Sequence, residues 1–138
     1  MSTVFTKIIN KEIPATILYE DELSIAILDI APVNKGHSLV IAKEEIPTTD
    51  QCPDELLAHL MRVVRRLDMR MRERFNIEAT NIIINNGKAA GQEVPHLHIH
   101  IIPRAADDGK TITMPKCRYG EGELEHYRNE LSLDNLAD

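Results

Sequence analysis

The amino-acid sequence predicts an α+β fold, in which a mainly antiparallel sheet of five strands is covered by one long helix. Three observations favour this class. Five short segments are rich in aliphatic and β-branched residues, one long segment has apolar residues at helical spacing, and the strand-like segments follow one another with few helices between them. The 138 residues are enough for a single domain, 1–138, with its own hydrophobic core.

The chain opens with a predicted short helix and three predicted strands. Residues 4–11 (VFTKIINK) favour a short helix, which has to end before Pro14. Three strand-like segments follow, at 15–21, 23–30 and 37–43. Acidic turn residues separate the first two, and a loop at 31–36 that contains Pro, Asn and Gly precedes the third. Strands that succeed one another in this way favour antiparallel pairing.

Residues 53–75 form the clearest predicted helix. Pro53 suits a first helical position, and Asp54 and Glu55 favour the positive end of the helix dipole. Apolar residues recur at helical spacing, namely Leu56, Leu60, Val63, Val64, Leu67 and Met71. Arginines alternate with them, namely Arg62, Arg65, Arg66, Arg70, Arg72 and Arg74. Because acidic residues are mixed in, we interpret the arginines as a solvated helix face and not as a phosphate-binding surface.

The second half of the chain predicts two further strands and a tail. The strands are 80–86 and 94–103, and a glycine-containing loop at 87–93 joins them. A polar loop follows Arg104, and the segment 121–133 is weakly helical. We therefore expect the five strands to be complete before the tail, 105–138, begins.

Composition and charge exclude several classes of function. The formal net charge of −6 argues against general nucleic-acid binding, which needs excess Lys and Arg. No apolar run approaches membrane-spanning length, so we expect no membrane partner, and the N-terminus lacks the apolar segment of a secretory signal. Two cysteines far apart, Cys52 and Cys117, are no disulfide framework. A reduced, cytoplasmic location is the simplest interpretation.

Three of the six histidines lie in one five-residue segment of the last predicted strand. The segment PHLHIHIIPR (95–104) places His96, His98 and His100 at alternate positions. Alternate residues of a strand share a face, so the imidazoles should line one face, about 7 Å apart from one to the next. Leu97, Ile99 and Ile101 should then face the long helix, and the imidazoles should face a ligand.

The alternating histidines allow three interpretations. Polar residues on an exposed strand would not require three imidazoles, because Thr, Lys or Glu would serve as well. A metal site is disfavoured, because three side chains spread along one strand do not close readily on one ion. The third interpretation is nucleophilic catalysis: a neutral imidazole can accept a phosphoryl or nucleotidyl group, and its neighbours can orient it, bind phosphate oxygens and protonate the leaving group.

Because of the pattern in this strand, the sequence resembles the histidine-triad (HIT) superfamily of nucleotide hydrolases and transferases. The superfamily's signature, His-φ-His-φ-His-φ-φ with φ apolar, is present without departure at 96–102. The segment 85–92, with Asn85-Asn86-Gly87 and Gly91-Gln92, is similar to the family's phosphate-side loop. The segment 36–41 resembles the strand that carries the family's fourth histidine. The resemblance covers about residues 5–104.

The resemblance implies a role for each matching position. His98 would be the nucleophile that forms a nucleotidyl-histidine, and His100 would touch the α-phosphate or the bridging oxygen. His96 and His37 would support the reacting ring, and Asp29 would hold the ribose hydroxyls. The implied nucleotide-binding residues also include Asn85, Gly91, Gln92, Glu93 and Val94 on the phosphate side and Ile8 and Ile27 at the base. Asp29, Asn85 and Gly87 could instead be turn residues, and Gly91 could serve both the turn and the approach of backbone N–H groups to phosphate. His59 and His126 match no motif of the family, so we do not expect them to belong to the site.

Three departures from the family's pattern affect the expectations. Some members carry a zinc-binding Cys-x-x-Cys near the N-terminus, whereas here Thr3 and Thr6 stand at those positions, so we expect no metal and no other cofactor. Animal Hint proteins have a serine at the position of Glu93. The tail lacks their Trp-Pro-Pro-Gly ending, and Ile-Ile-Pro-Arg after the triad instead resembles bacterial HIT hydrolases.

The resemblance implies a HIT-like fold that forms a homodimer, and an enzyme that acts on a purine nucleotide. The expected reaction releases a nucleoside monophosphate from an amine, acyl or phosphate leaving group. Two alternatives stay open: a dinucleoside polyphosphate hydrolase with the same histidines, and a nucleotide-binding regulatory protein with weak turnover. Attack requires an unprotonated outward nitrogen on His98, so its other nitrogen should donate to a fixed acceptor such as a backbone carbonyl of the triad.

Overall fold

The structure is a computed structural model that describes residues 2–133 and residue 136. The ends of the predicted domain, at 1 and 138, lie outside the described residues. The described residues form three helices and five strands, in the order α1 (Val4–Ile9), β1 (Ile17–Glu20), β2 (Ser24–Leu28), β3 (Ser38–Ala42), α2 (Asp54–Phe75), β4 (Ala79–Ile83), β5 (His98–Arg104) and α3 (Glu123–Leu131). Single 3₁₀ turns lie at Thr49–Gln51 and Lys88–Ala90.

The five strands form one sheet in the order β1-β2-β3-β5-β4, and each pair of neighbours is antiparallel. The predicted α+β class is confirmed. The histidine-bearing β5 lies between β3 and β4, with Ile99 opposite Val40 and Ile101 opposite Ile82. Because β5 is hydrogen-bonded on both sides, its backbone is a rigid support for the side chains it carries.

The long helix α2 covers one face of the sheet. Leu60 and Val64 are completely buried there, in one cluster with Leu97, Ile99 and Ile101. The prediction that the aliphatic side of the histidine strand packs against the long helix is confirmed. The six arginines of α2 are all exposed, which fits a solvated face.

The short helix α1 packs on the opposite face of the sheet. Its buried residues, Phe5 and Ile8, join a second cluster with Ile25, Ile27, Leu39 and Ile41 of β2 and β3. This cluster lies on the side of the sheet to which the imidazoles belong, so α1 forms one wall beside them.

Two strand boundaries differ from the predicted ones by three residues or more. β5 begins at His98 and not at residue 94. Pro95 has no N–H to donate, and the Leu97 N–H bonds to the carbonyl of Ile46, beyond the end of β3. β4 ends at Ile83 and not at residue 86, because the Asn86 side chain bonds to Thr49 and turns the chain away. His96 therefore precedes the strand that carries the other two histidines.

The tail contains the predicted helix, and α3 is exposed along its whole length. Among residues 2–133, no helix is long and apolar enough to cross a membrane. Both cysteines are free thiols. The expected homodimer stays a prediction.

Candidate active site

A cleft of about 430 Å³ opens between α1, the end of β2, the loop before β5 and the histidine face of β5. This volume lies within the usual range for small-molecule sites. Nine of the twelve residues predicted for the site line it, namely Ile8, Ile27, Asp29, Asn85, Gly91, Glu93, Val94, His98 and His100. The other three, His37, His96 and Gln92, lie behind the cleft wall. His59 bonds to Asp21 elsewhere on the molecule, and His126 lies on exposed α3.

His98 presents an unprotonated nitrogen to the cleft. Its Nδ1 lies 2.7 Å from the backbone oxygen of His96, and a carbonyl can only accept, so Nδ1 carries the proton and donates. Burial lowers the pKa of His98, which keeps the ring neutral. The Nε2 lone pair is therefore left for a ligand. The expectation that a triad carbonyl fixes this ring is confirmed.

His100 has the opposite arrangement, because buried His37 fixes its proton. The Val33 N–H donates to His37 Nδ1 at 3.1 Å, so the proton of the His37 ring is on Nε2. That Nε2 donates to His100 Nδ1 at 2.9 Å, which places the His100 proton on its own Nε2. Burial, with the neighbouring rings of His98 and His37, lowers the pKa of His100 to about 4. Neutral His100 therefore keeps one N–H to donate.

The two cleft histidines thus differ in which nitrogen carries the proton, although the strand presents them alike. Their ring centroids lie 5.0 Å apart. One ring offers a lone pair, which can attack phosphorus, and the other offers an N–H, which can donate a hydrogen bond to a leaving group.

His96 is fully buried and does not line the cleft. Its Nε2 donates to the carbonyl of Ala42 at 2.6 Å, and its Nδ1 lies 2.7 Å from the hydroxyl of Thr3. The residue supports His98 through its own backbone oxygen, as described above.

Asp29 lies directly after β2 at the rim of the cleft. Its Oδ1 accepts the N–H of Ala31 at 2.9 Å, and its Oδ2 lies 3.7 Å from His37 Nε2. The turn role considered from sequence is therefore present, and Oδ2 retains capacity to accept a further hydrogen bond.

Gln92 ties the phosphate-side loop together and does not line the cleft. Its Oε1 accepts the Gly87 N–H, and its Nε2 donates to the carbonyl of Pro47, both at 2.7 Å. Gly91 has φ +98°, a left-handed conformation that favours glycine. The loop consequently brings Asn85, Gly91 and Glu93 to the cleft, while both amide atoms of Gln92 are used within the protein.

The side chains in contact with the triad rings include two that were not predicted from sequence. The Phe5 ring packs edge-on against His98, with centroids 4.8 Å apart, and also touches the ring of His96. Thr3 bonds to His96 from 93 positions away in sequence. The apolar side of α1 could have indicated Phe5, but nothing local in the sequence indicates the contact of Thr3.

Metal binding has one geometric candidate among the described residues. One ligand-type atom each from Asp29, His37 and His100 lies within 4.8 Å of the others. However, both nitrogens of His37 and Nδ1 of His100 already take part in hydrogen bonds, which an ion would have to displace. Thr3 and Thr6 occupy the positions at which some HIT proteins carry zinc-binding cysteines, and threonine hydroxyls are poor zinc ligands. The absence of a metal requirement stays a prediction, which unchanged turnover in EDTA would support.

Comparison with known proteins identifies the family. The sequence model of the HIT domain matches residues 10–107, which contain the cleft histidines and the loop before them. The chain belongs to the HIT family. The resemblance of the triad segment and the predicted HIT-like fold are both confirmed.

Three relatives show how far the likeness extends. A crystal structure of a HIT family member from Bacillus subtilis superimposes with a TM-score of 0.86 at 35% identity and covers 95% of each chain. The adenosine 5'-monophosphoramidase hnt1 of Schizosaccharomyces pombe is 36% identical over 96% of this chain and 97% of its own. The adenylylsulfatase HINT3 of Arabidopsis thaliana is 41% identical over 97% of this chain and 63% of its own.

Proposed function

We propose that this HIT protein is a nucleotide hydrolase that releases a purine nucleoside monophosphate from an amine, acyl or phosphate leaving group. The observation that carries the proposal is the paired protonation of the cleft: a bare Nε2 on His98 beside an N–H on His100. The names of the two enzymes similar to this chain agree with nucleotide hydrolysis, because both describe a reaction of an adenylate.

The proposed reaction has two steps at the α-phosphorus. In the first, the Nε2 lone pair of His98 forms a bond to phosphorus while the bond to the leaving group breaks. The leaving group keeps the electron pair of that bond and accepts a hydrogen bond from the His100 Nε2–H, and the proton that an amine needs comes from solvent. In the second, water attacks phosphorus and releases one proton to solvent. The P–N bond breaks, its electron pair returns to His98, and both rings are neutral as at the start.

The lining of the cleft suggests how the nucleotide is held. Ile8 and Ile27 offer an apolar wall for the base, and the free oxygen of Asp29 can accept from a ribose hydroxyl. The loop side, with Asn85 and Gly91, would meet the phosphate. We include the homodimer in this proposal on the basis of the family resemblance.

Comparing two substrates tests the activity directly. We expect AMP release from an adenosine 5'-phosphoramidate to exceed AMP release from a diadenosine polyphosphate, because a basic amine needs the hydrogen bond that the His100 N–H offers as it departs. The measurement is kcat/KM for each substrate, with EDTA present in a parallel series. A preference for the dinucleotide would favour the polyphosphate hydrolase. Tight AMP binding with negligible turnover of both would favour the regulatory protein.

The pH dependence of kcat/KM should follow the lowered histidine pKa values. Attack requires neutral His98, whose pKa burial moves below the ordinary 6.5. Activity should therefore persist below pH 6.5 and fall only as the pH drops through the lowered pKa of the coupled rings. The contribution of these neutral rings to the free energy of unfolding should depend on pH in the same direction. It is fully present above pH 6.5 and decreases towards pH 4, because the imidazoles of the unfolded chain bind protons at a higher pH than those of the folded protein. An acid limb of kcat/KM at or above pH 6.5 would contradict this.

A further inference from the structure

A polar network joins the start of α1 to the buried ring of His96. Thr3, the N-cap residue, accepts the Thr6 N–H on its side-chain oxygen at 3.2 Å. The carboxylate of Glu45 accepts the Thr6 hydroxyl at 2.7 Å and the Thr3 N–H at 3.1 Å. The Thr3 oxygen also lies 2.7 Å from His96 Nδ1.

For a neutral His96 ring, the donors and acceptors of this network have one consistent assignment of protons. The Ala42 carbonyl can only accept, so such a ring carries its proton on Nε2 and accepts at Nδ1. The Thr6 hydroxyl has one proton, which goes to the carboxylate of Glu45. The Thr3 hydroxyl proton therefore goes to His96 Nδ1.

The His96 ring needs its second hydrogen bond, the one from Thr3, because His96 precedes β5. Regular strand pairing therefore does not hold the backbone of His96. The Leu97 N–H, in the same peptide group as the His96 carbonyl, is fixed by Ile46. The carbonyl oxygen of His96 accepts the Nδ1–H of His98. The position of His96 is fixed through its ring, which is hydrogen-bonded to Ala42 and Thr3.

We propose that Thr3 is a positioning residue: its hydroxyl holds the His96 ring, and the His96 carbonyl in turn holds His98 with Nε2 aimed at the substrate. This inference rests on the proposed role of His98 as the nucleophile. The Thr6 hydroxyl donates to Glu45 and makes no contact with His96, so it does not hold the ring. A contact from the first turn of α1 thereby sets the geometry of the strand face.

Three variants separate this role from a general contribution to folding. Thr3→Val keeps the shape but removes the hydroxyl, whereas Thr3→Ser keeps the donor. Thr6→Val is the matched control, because it removes a hydroxyl from the same helix turn but leaves the contact between Thr3 and His96. We expect Thr3→Val to lower kcat about tenfold, the effect of one lost orienting interaction, with KM changed less than about twofold. Thr3→Ser and Thr6→Val should stay near wild type.

The ¹⁵N spectrum of the imidazoles in the substrate-free protein gives a second readout. His96 should show a protonated Nε2 and an unprotonated, hydrogen-bonded Nδ1, and Thr3→Val should move the Nδ1 resonance towards that of a free acceptor. A wild-type His96 protonated on Nδ1 would overturn the proposal even if Thr3→Val failed to fold. Wild-type kcat in Thr3→Val, or an equal loss in Thr6→Val, would also overturn it. Because the spectrum requires no turnover, failure here is distinct from failure of the proposed activity.

Discussion

Replacing His98 by Asn should abolish turnover while leaving nucleotide binding largely intact. The loss in kcat should be about 10⁴-fold or more, because removing a nucleophile ends the covalent route and not merely one supporting contact. AMP should still bind with a Kd within about threefold of wild type, since base, ribose and phosphate meet other residues of the cleft. Steady-state kinetics and calorimetric titration with AMP measure the two quantities.

The matched control is His59→Asn, which changes the same residue type on α2, where His59 bonds to Asp21 outside the cleft. It should keep near-normal turnover. Near-normal turnover in His98→Asn would instead remove His98 from the nucleophile's role. A loss of AMP binding as large as the loss of turnover would show that the substitution had damaged the cleft.

Replacing His100 by Ala should lower kcat by about 10²- to 10³-fold, as expected when one preorganised donor is lost. The loss should depend on the leaving group. A departing amine nitrogen is strongly basic and depends on the hydrogen bond from the His100 N–H, whereas a nitrophenolate is a stable anion, so the nitrophenyl ester of AMP should lose much less activity than the phosphoramidate.

The buried partner of His100 provides the comparison for this variant. His37→Ala leaves the His100 ring in place but removes the N–H that fixes its proton, so it should cost less than His100→Ala. Equal losses on the two substrates in His100→Ala would contradict the assignment of His100 as the hydrogen-bond donor to the leaving group.

Much of the fold could be predicted because its patterns are local. The helical spacing of Leu60 and Val64 and the alternation of Ile99 and Ile101 each report which side of an element is buried, and the two sets meet in one core. The triad was recognisable for the same reason, since its spacing reports a shared strand face. Boundaries were less predictable where side chains such as Asn86 end a strand by bonding to a distant loop.

The remaining features of the site depend on contacts between residues far apart in sequence. His96 and His98 look alike in the sequence, but the backbone carbonyl of Ala42 and the hydroxyl of Thr3 bury one of them behind the cleft. Gln92 matches the phosphate-side motif, but its amide is used by Gly87 and Pro47. Such hydrogen-bond partners are set by tertiary structure, which local spacing does not report.

Trapping the covalent intermediate tests the proposed mechanism most directly. Wild-type protein is mixed briefly with a slowly hydrolysed adenylate, quenched in base because phosphorus–nitrogen bonds to histidine are acid-labile, and digested with trypsin. The peptide 89–104, bounded by Lys88 and Arg104, contains all three triad histidines and can be sequenced by mass spectrometry. An adenylyl group on His98 is the predicted result. An adenylyl group on His96 or His100, or full turnover with no adduct at any time point, would contradict it.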